Sequence, residues 1–304
     1  DACLKEIRAD GILSIDLETT GVDPMRADIV GIALCGRAHH AAYVPVLHRY
    51  LGAPPQLSLE EVLARLKPLL TDPGLPKVGQ NTKYEMILFA RHGITVAPVT
   101  FDSMVASYLI DPGRRQHNLD VLALDYLGHK TILYEEVAGK GRAQVTLDQV
   151  EVARVTQYAA EDADIALRLK EALAPRLEEL SLEELFETLE LPLISVLAEI
   201  EMTGVRVDTE ILRKMSAEFA LEMVRLESEI HALAGGAFNI NSPRQLGAIL
   251  FERLGLASRR RTAKTKTLST SSDVLEELAL HHPLPRKILD YRSLSKLRST
   301  YIDA

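Results

Sequence analysis

"LSIDLETTGVDP", residues 13–24, closes an otherwise apolar strand on two acidic side chains, Asp16 and Glu18. Side chains alternate along a strand, so residues two apart share a face. Both carboxylates therefore point to one side where the chain turns at Gly21, Asp23 and Pro24. That is the geometry needed to share a hard cation. Asp-x-Glu alone is a weak pattern, because two acids that cap a strand commonly face solvent. The decision rests on what the rest of the chain places beside them.

Working outward, "IVGIALCG" and "HAAYVPV" are two more β-rich runs with tight connections, which predicts an antiparallel meander. "SLEEVLARLKPLL" opens on Ser58 with Glu61 three positions later, a capping pair, and its Leu and Val recur at helical spacing. "KVGQN" reads as a further strand and "TKYEMILFARHG" as a helix closed by Gly93. From Phe101 helices dominate: "DSMVASYLI", "NLDVLALDYLG" and a long run from about Thr146 to Leu180. An acidic, Leu-rich helix gives way at Pro192 to "LISVLAEIEMTG" and "TEILRKMSAEFALEMVRLESEIHALAGG", two amphipathic helices joined at Gly204. The domain boundary is expected between Pro175 and Pro192, giving an α/β domain over 1–180 and an all-α domain over 181–304. A chain of 304 residues is long enough for two such cores.

No apolar run approaches the roughly 18 residues of a membrane span, and the charged start is not a signal peptide. Cys3 and Cys35 are isolated thiols without metal-ligand spacing, as expected of a reducing cytoplasm. The net charge of −8 is uneven: residues 258–304 carry ten Lys or Arg against five acids, a balance of +5, and the remainder carries −13. An acidic body with a basic tail suits a metal in one part and a polyanion in the other. Within the tail, "SRRRTAKTKTLSTSS" is basic, rich in hydroxyls and poor in large apolar residues, so it reads as a loop.

Two more acidic sites follow. Glu85 lies in the first turn of a helix after the polar pair Gln80 and Asn81. In "YAAEDAD", Tyr158 and Asp162 are four apart and share one helical face. Asp162, set among Ala160, Ala163 and Ile165, would be costly to bury without a cation or partner. Asp-x-Glu on a strand, "GQNTKYE" opening a helix and Tyr-x-x-x-Asp on a later helix together resemble the three exonuclease motifs of the DEDD superfamily, tyrosine subtype. "FDSMVASYLIDP", "HKTILYEEVAGKGRAQVT" and "YAAEDADIALRL" are similar to the proofreading domain of bacterial family A DNA polymerases, the DNA polymerase I type. "PLISVLAEIEMTGVRVD", "FNINSPRQLGAILFERLGL", "LSTSSDVLEELA" and "HPLPRKILDYRSLSKLRSTYIDA" look like the thumb of that family, in order.

The resemblance implies an RNase H-like mixed sheet flanked by helices, followed by the helical thumb. It implies 3′-5′ hydrolysis of DNA at two divalent cations, Mg2+ foremost, with Mn2+ or Zn2+ as substitutes. Asp16 would bridge both ions, Glu18 and Asp162 would complete the shell of the first ion, Glu85 would serve the second ion, and Tyr158 would orient the attacking water. Thr19, Gln80, Asn81 and Tyr84 match positions around the 3′-terminal nucleotides of a single strand. Arg259, Arg260, Arg261, Lys264 and Lys266 would hold the phosphates of a primer-template duplex. The implied protein is a cytoplasmic monomer with no membrane partner. Its chain stops at "STYIDA", where the family continues into palm and fingers, so this stretch is expected to carry proofreading without polymerisation.

Two departures stand out. The family has Asp where Glu85 stands, a carboxylate longer by about 1.5 Å, and it has Arg where Gln116 stands, with Arg115 one place earlier. His117 is read as structural because a two-metal site needs no histidine base, and "AGKGR" at 138–142 lacks the spacing of a phosphate-binding P-loop. Two competing readings are a DNA-binding module whose exonuclease is impaired by Glu85, and an RNA-trimming exonuclease of the RNase D type. The thumb-like "LSTSSDVLEELA" speaks against the latter.

Overall fold

The alternation of β1 (Leu13–Thr19) divides the interior of the first unit. Leu13, Ile15 and Leu17 enter one core, with Leu34 of β2 (Ile29–Arg37), Leu63 and Leu66 of α2 (Leu59–Leu70) and Leu88 and Phe89 of α3 (Lys83–Arg91). Ser14, Asp16 and Glu18 take the opposite face, where Val30, Ala33 and Cys35 of β2 meet the long helix α7 (Val152–Glu179). Each Leu or Ile so buried contributes about 1.5–3 kcal/mol. A one-residue slip of β1 would drive its acids into the leucine core, so register is strongly specified.

The structure is a computed structural model that describes residues 2–257 and 268–304. Among these, the sheet has five strands in the order β3-β2-β1-β4-β5, with β3 (His40–Pro45), β4 (Lys77–Gly79) and β5 (Val99–Asp102). The β1, β2 and β3 strands form the expected antiparallel meander, and β4 and β5 add in parallel beyond β1. On the α7 face lie α4 (Ser103–Ile110), α5 (Leu119–Leu127) and α6 (Tyr134–Ala138). The Ser58 hydroxyl accepts from the Glu61 amide at 3.2 Å and caps α2 as expected. Among the elements not legible were an initial helix over Ala2–Asp10, β5, and α6. β5 has four residues and pairs only through a crossover, so no local alternation announces it.

Two compact units emerge, Asp1–Gly204 and Val205–Ala304. The sequence suggested a break at 180/181, whereas the helix Leu191–Thr203 packs on α3 and β5 within the first unit. Pro192 does not end the helical run, which passes from Glu183–Leu185 through a π-helical turn at Phe186–Glu190 directly into Leu191–Thr203; such a turn is a place where a helix absorbs a local irregularity. The second unit is helical: Thr209–Ala234, Ser272–Ala279 and Pro283–Leu297 enclose Ile230, Leu250, Leu275, Leu284 and Ile288. The basic positions Arg259, Arg260, Arg261, Lys264 and Lys266 lie outside the described residues.

Candidate active site

Three elements bring the acids together. Asp16 and Glu18 pair across to Ala33 and Gly31 of β2, and the register shifts between Glu18 and Thr19. Such a bulge re-aims the end of a strand. Ala159 and Ala163 of α7 are fully buried against the sheet, and their small side chains let the helix lie close to it. Tyr158 and Asp162, beside these alanines, are thereby carried to the end of β1. Glu85 comes from the first turn of α3, where the partial positive charge of a helix N-terminus favours a carboxylate.

The approach to α3 is fixed by Asp102, which the sequence reading did not single out. Its carboxylate accepts from the Asn81 and Thr82 amides at 3.3 and 2.7 Å, from the Thr82 hydroxyl at 2.9 Å, and from the Met104 and Val105 amides. One buried side chain thus caps α4 and anchors the turn into α3. Asn81 takes φ 58° there, a left-handed conformation that Asn tolerates better than most residues.

One carboxylate oxygen each from Asp16, Glu18 and Asp162 lie within 4.8 Å of one another. Glu85 is not one of this trio, although it is equally buried, at 5% exposure like Glu18. Burial pushes the Asp16 carboxyl up to about 6. Glu18, Asp162 and Glu85 are held well above the usual carboxylate range, by burial first and then by the negative charge of Asp16. Glu18 Oε1, Glu85 Oε2 and Asp162 Oδ1 are buried without a hydrogen-bond partner among the described residues. Buried carboxylate oxygens left unpaired are costly. An all-oxygen, multiply anionic set of this kind fits a hard divalent cation.

Tyr158 precedes Asp162 by one helical turn on the same face of α7 and meets Tyr134 edge-to-face, with ring centroids 6.5 Å apart. Burial, and then the charge of Asp162, raise its phenol far above the ordinary value, so it stays protonated.

An open groove of about 430 Å³ runs past the acids. Asp16, Glu85 and Asp162 reach it, as do all four expected substrate positions, Thr19, Gln80, Asn81 and Tyr84, while Glu18 and Tyr158 do not line it. The Tyr84 hydroxyl is 2.6 Å from Thr19 Oγ1 and donates to the Gly21 carbonyl at 2.5 Å, tying α3 to the turn after β1. Gln80 is engaged internally: its Nε2 donates to the His117 carbonyl at 2.7 Å and its Oε1 accepts from the Ser103 hydroxyl. Six lining residues were not anticipated: Leu17, Gly21, Val22, Met104, Asn118 and Leu119. Of these, Gly21, in the turn after β1, and Asn118, which precedes α5, carried local signals in the sequence. Arg115 and Gln116 are exposed and do not line the groove. His117 Nδ1 sits 2.9 Å from the Ser107 hydroxyl, a structural contact.

A mixed sheet whose central strand end gathers carboxylates from β1, α3 and α7 defines a metal-dependent nuclease class. Residues 1–178 match the family described as 3′-5′ exonuclease, and the chain belongs to that family. Residues 209–304 match DNA polymerase family A. The chain is 45% identical to DNA polymerase I of Pseudomonas aeruginosa over 307 residues, covering 100% of this chain and 34% of that protein. It is also 45% identical to DNA polymerase I of Rhizobium leguminosarum, covering 100% of this chain and 32% of that one. It therefore spans about a third of the length of these curated relatives. Among solved structures, the POL domain of Pol1 from M. smegmatis in complex with DNA primer-template and dNTP superposes with a TM-score of 0.76 at 26% identity, covering 99% of this chain and 48% of that one. The fold is the expected RNase H-like sheet followed by a helical part. No helix among the described residues is long and apolar enough to cross a membrane.

Proposed function

We propose that the first unit removes nucleotides from the 3′ end of DNA by hydrolysis, as the proofreading site of a DNA polymerase I in the cytoplasm. The observation that carries this reading is the trio of carboxylate oxygens within 4.8 Å, with buried unpaired oxygens, beside an open groove. Asp16, Glu18 and Asp162 would hold one divalent cation, and Glu85 would help to hold a second. Mg2+ suits the all-oxygen set best. Bound cations would activate the attacking water and stabilise the departing 3′ oxygen.

The side chains do the remaining work. Tyr158, kept protonated, orients the water by hydrogen bonding and does not take its proton. Asp162, one turn along the same face of α7, ties that position to the acidic cluster. Thr19 and Tyr84, linked to each other, form one wall for the terminal nucleotide, and Gln80 and Asn81 border it on the α3 side. Helices of residues 181–304 form the thumb, and Arg259, Arg260, Arg261, Lys264 and Lys266 grip duplex phosphates. Primer-template DNA is the ligand in the M. smegmatis complex, and the same ligand is proposed here, bound by a monomer.

The test is digestion of a 5′-labelled single-stranded DNA with Mg2+. A ladder shortening from the 3′ end, abolished by EDTA, is the expected result. DNA binding without a ladder would favour the competing reading of a DNA-binding module impaired at Glu85, a reading that the position of Glu85 outside the trio motivates. Glu85→Asp is then the informative variant. It is expected to speed single-turnover digestion, by no more than about 100-fold, the cost that a misplacement near 1 Å can carry. An unchanged rate would remove Glu85 as a limit on catalysis.

A further inference from the structure

Glu161 stands next to Asp162 in α7 but is not part of the acidic trio, and the proposed mechanism does not use it. Successive residues of a helix are set about 100° apart, so Glu161 addresses different neighbours from Asp162. Residues three apart are adjacent on a helix surface, so it flanks Tyr158. Its carboxylate engages the chain between α5 and α6, residues 128–133, which has no regular secondary structure. Glu161 Oε2 accepts from the Ile132 amide at 2.6 Å, and Oε1 lies 2.8 Å from Nε2 of His129. A further tie comes from α5, where Asp120 Oδ1 accepts from the Thr131 hydroxyl at 2.6 Å. Connecting segments are ordinarily the mobile parts of a fold. This one is pinned to α7 at both His129 and Ile132, and to α5 between them.

What the pinned segment delivers is Tyr134. The Leu133 amide donates to Glu136 Oε2 at 2.9 Å, which fixes the start of α6, and Tyr134 is the next residue. Its ring meets that of Tyr158 at an interplanar angle of 72°, the edge-to-face arrangement that aromatic pairs favour. A ring met from the side in this way loses freedom to swing about its own torsions. Tyr134 is 39% exposed, so burial alone does not hold it against Tyr158. The ties at Ile132 and His129, one turn of α7 beyond Tyr158, do.

We infer that Glu161 is a positioning residue: by pinning residues 129–132 to α7 it seats Tyr134 against Tyr158, and so fixes the ring whose hydroxyl orients the attacking water. This rests on the water-orienting reading of Tyr158. It makes a demand that a purely structural role does not. A residue that works through the Tyr158 hydroxyl has nothing left to affect once that hydroxyl is gone.

The experiment is a double-mutant cycle on the full chain, read as the single-turnover rate of 3′ digestion, with melting in EDTA as the control for folding. Tyr158→Phe and Glu161→Ala are each expected to slow digestion about tenfold, within the factor of about 100 that a misplacement near 1 Å can carry. In the Tyr158→Phe background, Glu161→Ala is expected to cost less than about twofold, the non-additivity of residues that act as a unit. Glu161→Gln can still accept from Ile132 and donate to a neutral His129, so it should stay within about threefold of the parent despite losing the charge. NMR of the metal-free protein with labelled tyrosine rings gives a readout apart from activity. Contacts between the Tyr134 and Tyr158 rings should be present in the parent and in Glu161→Gln and lost in Glu161→Ala. Surviving ring contacts in Glu161→Ala, an undiminished cost in the Tyr158→Phe background, or a Glu161→Gln as slow as Glu161→Ala would each overturn the inference alone. Tyr158→Phe at the parent rate, or a parent that yields no ladder, would overturn the reading on which it rests, and this inference with it. Should Glu161→Ala not fold, Tyr134→Ala takes its place in the cycle: an effect that vanishes in the Tyr158→Phe background supports the inference, and no effect, or one that persists there, overturns it.

Discussion

Asp16→Ala is expected to lower the rate of 3′ digestion by about a thousand-fold or more while leaving the metal-free protein folded. Asp16 reaches the groove, belongs to the oxygen trio, and is the one acid whose charge bears on each of Glu18, Glu85 and Asp162. Cations held at a phosphoryl centre are worth several kcal/mol of transition-state stabilisation, and about 4 kcal/mol corresponds to a factor near a thousand. The change also removes a buried carboxyl that the metal-free fold tolerates only by protonating it, so folding should not suffer. Single-turnover digestion at saturating Mg2+, with melting in EDTA beside it, measures both. A loss of less than about tenfold would deny Asp16 its central place.

The second large effect concerns stability and pH without metal. Burial raises the Asp16 carboxyl from 3.8 to about 6, and Glu18, Glu85 and Asp162 move in the same direction. The unfolded chain releases these protons in the ordinary carboxylate range, so from there up to the raised value the native state holds more protons. Stability of the metal-free protein must then fall as pH rises through this window. Asp16 alone sets an upper bound of about 3 kcal/mol, lowered by the contact of this half-buried residue with water in the groove. Asp16→Asn, which cannot ionise, should therefore melt several degrees above the parent at pH 8 in EDTA and show no advantage at pH 4. Mg2+ at pH 8 should raise the melting temperature of the parent far more than that of the variant. An advantage of equal size at both pH values would contradict the electrostatic origin.

Much of this was legible in the sequence because its signals are local. The alternation of β1 put Asp16 and Glu18 on one face, and the four-residue spacing put Tyr158 and Asp162 on another. That the two faces meet, with Glu85 beside them, is a tertiary fact that no period encodes; it was available only through the resemblance of three motifs. Asp102 was overlooked because a carboxylate that collects hydrogen bonds from two separate turns looks in sequence like any helix cap. The compact units divide at Gly204 while the sequence boundary was read at Pro175–Pro192, because the helical run that passes through Pro192 packs back on the first unit, a tertiary contact that no proline signals.

The most direct measurement is an anomalous difference map from crystals of the chain soaked in Mn2+. The expected result is a peak enclosed by Asp16, Glu18 and Asp162, with a second peak about 3.5–4 Å away toward Glu85. A map with no peak at Asp16 in a soak that occupies other sites would contradict the claim that these acids form a cation-dependent nuclease centre.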